Sequence, residues 1–357
     1  LGEDGSWMHC AFWCARTTNT WLNHTHIYAL LILSSFGITA EACIYLLDWY
    51  RSFLLCTIIS RNTMAATPFD PQRAYAPQED VFFDDGREIE LLHFVYSRPN
   101  LSEIRGSPQQ VLAAIDEYGR TKKYLMNVGE DKGKIVTDLI AEVKPKVMVE
   151  LGGYVGYSAI LFADAVRKAG GQHYYCLERN PEFAAVVTSL VDLAGLSDLV
   201  KVFVGASGDS LRRLNAEGKL PHIDLLFLDH YKPAYVVDLK LCEQLKMVGP
   251  GSVLAADNVI KPGNPPYLKY VRSSVEEKRQ AGDEAIDMGS FFPETTAKQY
   301  LKREGKEQYL KKEGEQQLDL NLVGDPNLVY KSGIVHSYEP TGVPDGVEIS
   351  RCVGRET

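Results

Sequence analysis

The chain has 357 residues, of which 45% are apolar and 24% charged. This excludes a disordered tail, a collagen-like fibre and a small disulfide scaffold, and leaves room for one large core or two modest ones. The formal charge of −9 argues against a broad phosphate-binding surface and hence against nucleic acid as partner, while the seven cysteines, odd in number and without zinc spacing, fit a reducing compartment.

All four tryptophans (Trp7, Trp13, Trp21, Trp49), four of the seven cysteines and no lysine stand before residue 64. Residues 1–63 therefore read as a hydrophobic leader unlike the rest. Within it, residues 27–47 carry one charge, Glu41, and a helix of about 20 apolar residues spans a bilayer. Two readings stay open: a membrane anchor with a cytosolic catalytic domain, or a non-native extension ahead of a cytoplasmic protein. Residues 64–107 form a Pro- and Asp-rich N-terminal extension without catalytic spacing, whose amphipathic piece at 88–97 is expected to pack on the main domain at 108–357.

The main domain opens with a helix, with Ser107 as cap and Pro108 in the first turn, expected to end near Gly129. Strands are predicted at 146–153, 173–179, 200–206, 223–230 and 252–259, alternating with helices at 157–170, 181–195, 209–218 and 233–249. Such alternation means a parallel sheet covered on both faces, with ligands beyond the carboxyl ends of its strands. A charged insertion at about 273–320 reads as a solvated helical excursion or as a lid.

Two constellations lie at those strand ends. The turn ELGGYVGYS lets the backbone approach a nucleotide, yet it departs from G-x-G-x-x-G, and Glu150 just before it would repel a pyrophosphate. A cationic, phosphate-free nucleoside, S-adenosylmethionine, suits it, with Glu178 at the second strand end taking the ribose hydroxyls. Asp229 and the pair Asp257–Asn258 end neighbouring strands and offer three hard oxygens. Magnesium prefers six, which leaves space for a bidentate diol and a water.

The segments YLMNVGEDKGKIV, VMVELGGYVGYSA, LERNPEFAAV, VGASGD, LLFLDHYK and LAADNVIKPGNP, in this order between residues 108 and 266, resemble the catechol O-methyltransferase family. The resemblance implies an α/β fold, a doubly wound, mostly parallel seven-stranded Rossmann-like methyltransferase sheet with an antiparallel strand near the C-terminus. It implies S-adenosyl-L-methionine and Mg2+ as cofactors; the partner expected is a small-molecule catechol or related diol, and the chain is expected to be a monomer. Met126, Val128, Glu150, Gly152, Tyr154, Ser158, Glu178, Ser207, Asp229 and His230 become cofactor-pocket positions, and Asp229, Asp257 and Asn258 metal ligands. Lys232 is similar to the family's general base, and Glu339, in SYEPTGVPDGVEIS, to the carboxylate that holds the second hydroxyl beside Asn258. Gly208 departs from the family's Gln beside the adenine, and Tyr124 and Tyr231 stand where tryptophans wall the catechol.

The expected chemistry is methyl transfer in line from sulfur to oxygen, with the metal acidifying the attacking hydroxyl and Lys232, its pKa depressed, taking the proton. Other readings are a methyltransferase for another phenol or diol, a cofactor-binding module without turnover, and an oxidoreductase on the same sheet, for which the phosphate-compatible G-x-G-x-x-G is absent. Asn264-Pro265-Pro266-Tyr267 spells the motif of amino-methyltransferases, but it follows the fifth strand instead of the fourth and is read as a proline-rich loop.

Overall fold

A computed structural model describes residues 68–281, 318–319 and 321–357. The chain divides into Leu1–Ala65 and Ala66–Thr357, and every described residue belongs to the second unit. The leader and most of the charged insertion thus lie outside the described residues, among which no helix is long and apolar enough to cross a membrane.

Helix α1 (Arg87–Tyr96) buries Leu91 and Val95, and after the single turn α2 (Leu101–Ile104) helix α3 (Pro108–Thr121) buries Val111, Ile115 and Tyr118 in the same core. The Ser107 side chain caps α3 and Pro108 opens it, as expected. Its end differs. The helix stops at Thr121, not near Gly129, and the next helix, α4 (Gly129–Val143), begins there instead. Residues 122–128 are drawn out of the helix because Tyr124, Leu125 and Val128 are buried together, while Arg87 Nη1 donates to the Tyr124 carbonyl at 2.7 Å. Tertiary burial overrides local periodicity there.

The alternation then runs as read: β1 (Val147–Leu151), α5 (Tyr157–Lys168), β2 (His173–Glu178), α6 (Pro181–Leu193), β3 (Val200–Val204), α7 (Ser207–Ala216), β4 (Leu225–Leu228), α8 (Ala234–Gln244) and β5 (Val253–Ala256). Two short helices, α9 (Pro265–Arg272) and α10 (Val275–Gln280), precede β6 (Leu328–Tyr338) and β7 (Pro344–Arg355). All seven strands form one sheet in the order β3-β2-β1-β4-β5-β7-β6, with β7 antiparallel to both neighbours and the other pairs parallel. The residues of β4 and β5 are buried throughout, which is why LLFL and VLAA carry no alternation.

Strand order reverses between β1 and β4, where Leu151 pairs with Leu228 and Leu228 in turn with Ala256. The residues that follow, Gly152, Asp229 and Asp257, therefore leave the sheet side by side. Gly152 has φ +92°, and a Cβ there would lie 2.4 Å from the Asp229 carbonyl oxygen. Only glycine lets the first turn pack this closely on the loop that carries Asp229.

Candidate active site

The first half of the site is the β1 turn. Glu178 at the end of β2 is buried; its Oε2 accepts from Gly153 and Tyr154 N–H, both at 2.9 Å, and its Oε1 from Asn180 N–H at 2.7 Å. Burial pushes its carboxyl above the usual range, and these backbone donors pull the other way. Glu178 thus first shapes the turn, because Tyr154 is held at φ +47°, where a non-glycine residue needs support. The Tyr154 ring meets Phe183 edge to face at 5.4 Å.

Glu150 lies deeper than a strand-end acid. It is fully buried, and neither carboxylate oxygen has a hydrogen-bond partner within bonding geometry. Burial lifts its carboxyl to about 7, eased by Ser158, Cys176 and Tyr174 nearby. An orphaned buried carboxylate beside a glycine turn fits a cationic ligand group, as the ammonium of S-adenosylmethionine is. Ser158 is buried on α5, Val128 lies in the core at the start of α4, and Met126 is half-buried beside it.

Ser207 and His230 meet on a residue that the sequence did not single out. Asp238 on α8 is buried; its Oδ2 accepts from Ser207 Oγ and lies 2.9 Å from His230 Nε2. That contact places a hydrogen on Nε2 in the neutral ring and leaves Nδ1, buried and without a partner, as the acceptor. The imidazole stacks on Tyr235, with ring centroids 4.9 Å apart and planes 10° apart.

The second half lies beyond β4, β5 and the β6–β7 hairpin. Lys232 is 5% exposed; its Nζ lies 3.0 Å from Asp229 Oδ1 and 2.7 Å from Tyr235 Oη, and Tyr235 donates on to the Asp257 carbonyl at 3.2 Å. Asn264 Nδ2 fixes the same loop by donating to the Lys232 carbonyl at 2.8 Å, while its Oδ1 caps α9. The Asn264-Pro265-Pro266-Tyr267 motif is therefore a helix start, with two prolines in the first turn. Tyr231 beside it is 48% exposed, whereas Tyr124 is 6% exposed and meets Phe82 edge to face at 6.0 Å. The two tyrosines do not form equivalent walls.

Asp257, Asn258 and Glu339 come together, and a buried lysine stands among them. Lys132 on α4 is 0% exposed, and its Nζ lies 2.8 Å from Asp257 Oδ1, 2.8 Å from Glu339 Oε1 and 3.0 Å from Asp345 Oδ2. Asn258, at φ +57°, donates through Nδ2 to Glu339 Oε1 at 2.6 Å and Asp345 Oδ2 at 3.1 Å. Asp345 Oδ1 accepts the backbone N–H groups of Ile260 and Lys261. Burial lifts Asp257 to about 6, with Lys132 opposing and Asp229 and Asp345 adding to the rise. Burial likewise pushes Glu339 up to about 8, against Lys132 and with Asp257 and Asp345. Asp345 stays below the usual range despite burial, because Lys132, Glu339 and the Lys261 N–H favour its charge.

Among the described residues, no group of three or more His, Cys, Asp or Glu side chains is placed to hold a metal ion. The donor chemistry nevertheless fits a hard dication. The carboxylates of Asp229, Asp257, Glu339 and Asp345 gather hard oxygens in one largely buried place, with Lys132 Nζ against three of them and Lys232 Nζ against the fourth.

The family model described as O-methyltransferase matches residues 107–272, and with the relatives that follow it defines the chain as an S-adenosylmethionine-dependent O-methyltransferase. Bovine catechol O-methyltransferase is 39% identical over 198 residues, 56% of this chain and 71% of that one. The mouse enzyme of the same name is 43% identical over 169 residues, 47% of this chain and 63% of that one. Human transmembrane O-methyltransferase is 36% identical over 169 residues, covering 47% and 57% respectively. The chain belongs to the catechol O-methyltransferase family.

Proposed function

We propose that this protein transfers the methyl group of S-adenosylmethionine to one hydroxyl of a catechol-type diol in a Mg2+-dependent reaction, with Lys232 as general base. The observation that carries this reading is the convergence of Asp229, Asp257, Asn258 and Glu339 around the strand ends, with the buried Lys232 amine beside them. The names of the bovine and mouse relatives support catechol as the substrate class.

On this reading Glu178 binds the ribose and Glu150 the ammonium of the methyl donor. His230 and Ser207, fixed by Asp238, line its adenine. Asp229, Asp257 and Asn258 would hold the magnesium, which, when bound, acidifies a hydroxyl bonded to it. Lys232 Nζ receives the proton of the attacking hydroxyl, and Asp229 Oδ1 and Tyr235 Oη stabilise the ammonium that forms. The hydroxyl oxygen attacks the methyl carbon as the carbon–sulfur bond breaks, the sulfonium becomes a thioether, and no covalent enzyme intermediate is required. Glu339 accepts a hydrogen bond from the second hydroxyl, and Tyr124, buried, and Tyr231, exposed, contribute unequally to the wall around the ring.

The full chain, labelled S-adenosylmethionine and a panel of catechols, simple phenols and amines test this reading. Label should pass to catechols alone, cease in EDTA and return with magnesium. Full turnover in EDTA, or equal rates on a simple phenol, would refute the chelate mechanism.

A further inference from the structure

Glu339 opens the five-residue turn between β6 and β7, and that turn is gripped from two sides. From within, Lys132 and Asn258 take its carboxylate. From outside it is covered by residues 69–75, in the extension that shows no chemical spacing. The Phe69 ring meets that of Tyr338, the residue before Glu339, with centroids 5.7 Å apart. Phe69 also covers Gly342, where a Cβ would come within 2.7 Å of the ring, and the Gly342 N–H closes onto the Glu339 carbonyl at 2.8 Å. The Tyr75 N–H donates to the carbonyl of Pro340, the residue after Glu339, at 2.9 Å.

The segment's own anchorage is independent of the hairpin. Tyr75 Oη donates to Asp116 Oδ1 on α3 at 2.5 Å and accepts from Asn127 Nδ2 at 3.3 Å. The Ala76 N–H reaches the Gly119 carbonyl at 2.9 Å, and Arg73 pairs with Glu130 and Asp131 on the first turn of α4. The turn is therefore tied to α3 and α4 through residues 69–75.

We propose that residues 69–75 are a clasp that positions Glu339 for the substrate's second hydroxyl, with Phe69 as the positioning residue. The proposal rests on the reading of Glu339 given above. A carboxylate on an unsupported turn samples several placements, and ordering it is then charged against substrate binding. The clasp removes that cost beforehand by fixing the residues on either side.

A double-mutant cycle in the full chain tests it, using Phe69→Ala, Glu339→Gln and the combination, with catechol as substrate. KM for catechol, kcat, calorimetric Kd for S-adenosylmethionine and the melting temperature are read for each. Phe69→Ala should raise KM for catechol at least about threefold with the S-adenosylmethionine Kd unchanged, and should add nothing once Glu339 is Gln. A Phe69→Ala protein that melts lower with unaltered KM, or one that raises KM equally in both backgrounds, overturns the clasp while leaving Glu339 its role. Unchanged KM in Glu339→Gln overturns the reading of Glu339, and the clasp with it. Should Phe69→Ala fail to fold, Phe69→Leu keeps apolar cover without the ring, and the same outcomes apply.

Discussion

Replacing Lys132 by Met removes the ammonium that Asp257, Glu339 and Asp345 share while keeping most of the side-chain volume. Breaking a buried ion pair from one side costs about 3–5 kcal/mol, because the remaining charge stays buried and unpaired. How much of that appears depends on pH. Asp257 titrates at about 6 and Glu339 at about 8. At about pH 5.5 much of this charge is neutralised by protons, and the expected loss is near the lower bound of about 3 kcal/mol, or about 6–12 °C in melting temperature. At about pH 9 all three carboxylates are ionised, and the loss should reach about 5 kcal/mol.

The sign follows from proton linkage. Both groups have folded values above their ordinary 3.8 and 4.5, so the folded protein holds more protons than the unfolded chain, and stability without ligand falls as pH rises through this window. Losing Lys132 raises both values further, so the deficit against wild type widens with pH. Urea unfolding of both proteins at the two pH values measures it. A deficit under about 1 kcal/mol, or an equal one at both pH values, would contradict this account. Adding Asp345→Asn to Lys132→Met should recover stability, since it removes the carboxylate with the strongest preference for charge.

Lys232→Ala should slow single-turnover methyl transfer by about 10²–10⁴-fold while the S-adenosylmethionine Kd changes little; a rate within about threefold of wild type would remove Lys232 from the chemistry. Glu178→Ala should weaken S-adenosylmethionine at least about tenfold by calorimetry and also destabilise the ligand-free protein by about 1.5–3 kcal/mol, because two turn N–H groups lose a charged acceptor. Weakened binding at unchanged stability would mean that Glu178 serves the ribose alone.

The βα alternation, the strand ends that carry Asp229 and Asp257, and the glycine turn were legible in the sequence, because period, turn residues and strand hydrophobicity are local properties. The sequence also held Lys232 three residues after Asp229, close enough for the ion pair that forms. Lys132 was not legible. On a helix's first turns, beside Glu130 and Asp131, it reads as a solvated charge, and its three partners lie 125, 207 and 213 residues away. Asp238 was missed likewise, since a lone acid on α8 carries no sign that Ser207 and His230 converge on it. The end of α3 failed for a related reason: residues 122–128 continue an apolar pattern, and only burial against α1 and the Arg87 guanidinium makes the non-helical course favourable. Local sequence thus determined which elements form and which residues stand at their ends. Which charges share one buried volume was decided only by tertiary packing, because that depends on the sheet order and on a hairpin some two hundred residues distant from its counter-charge.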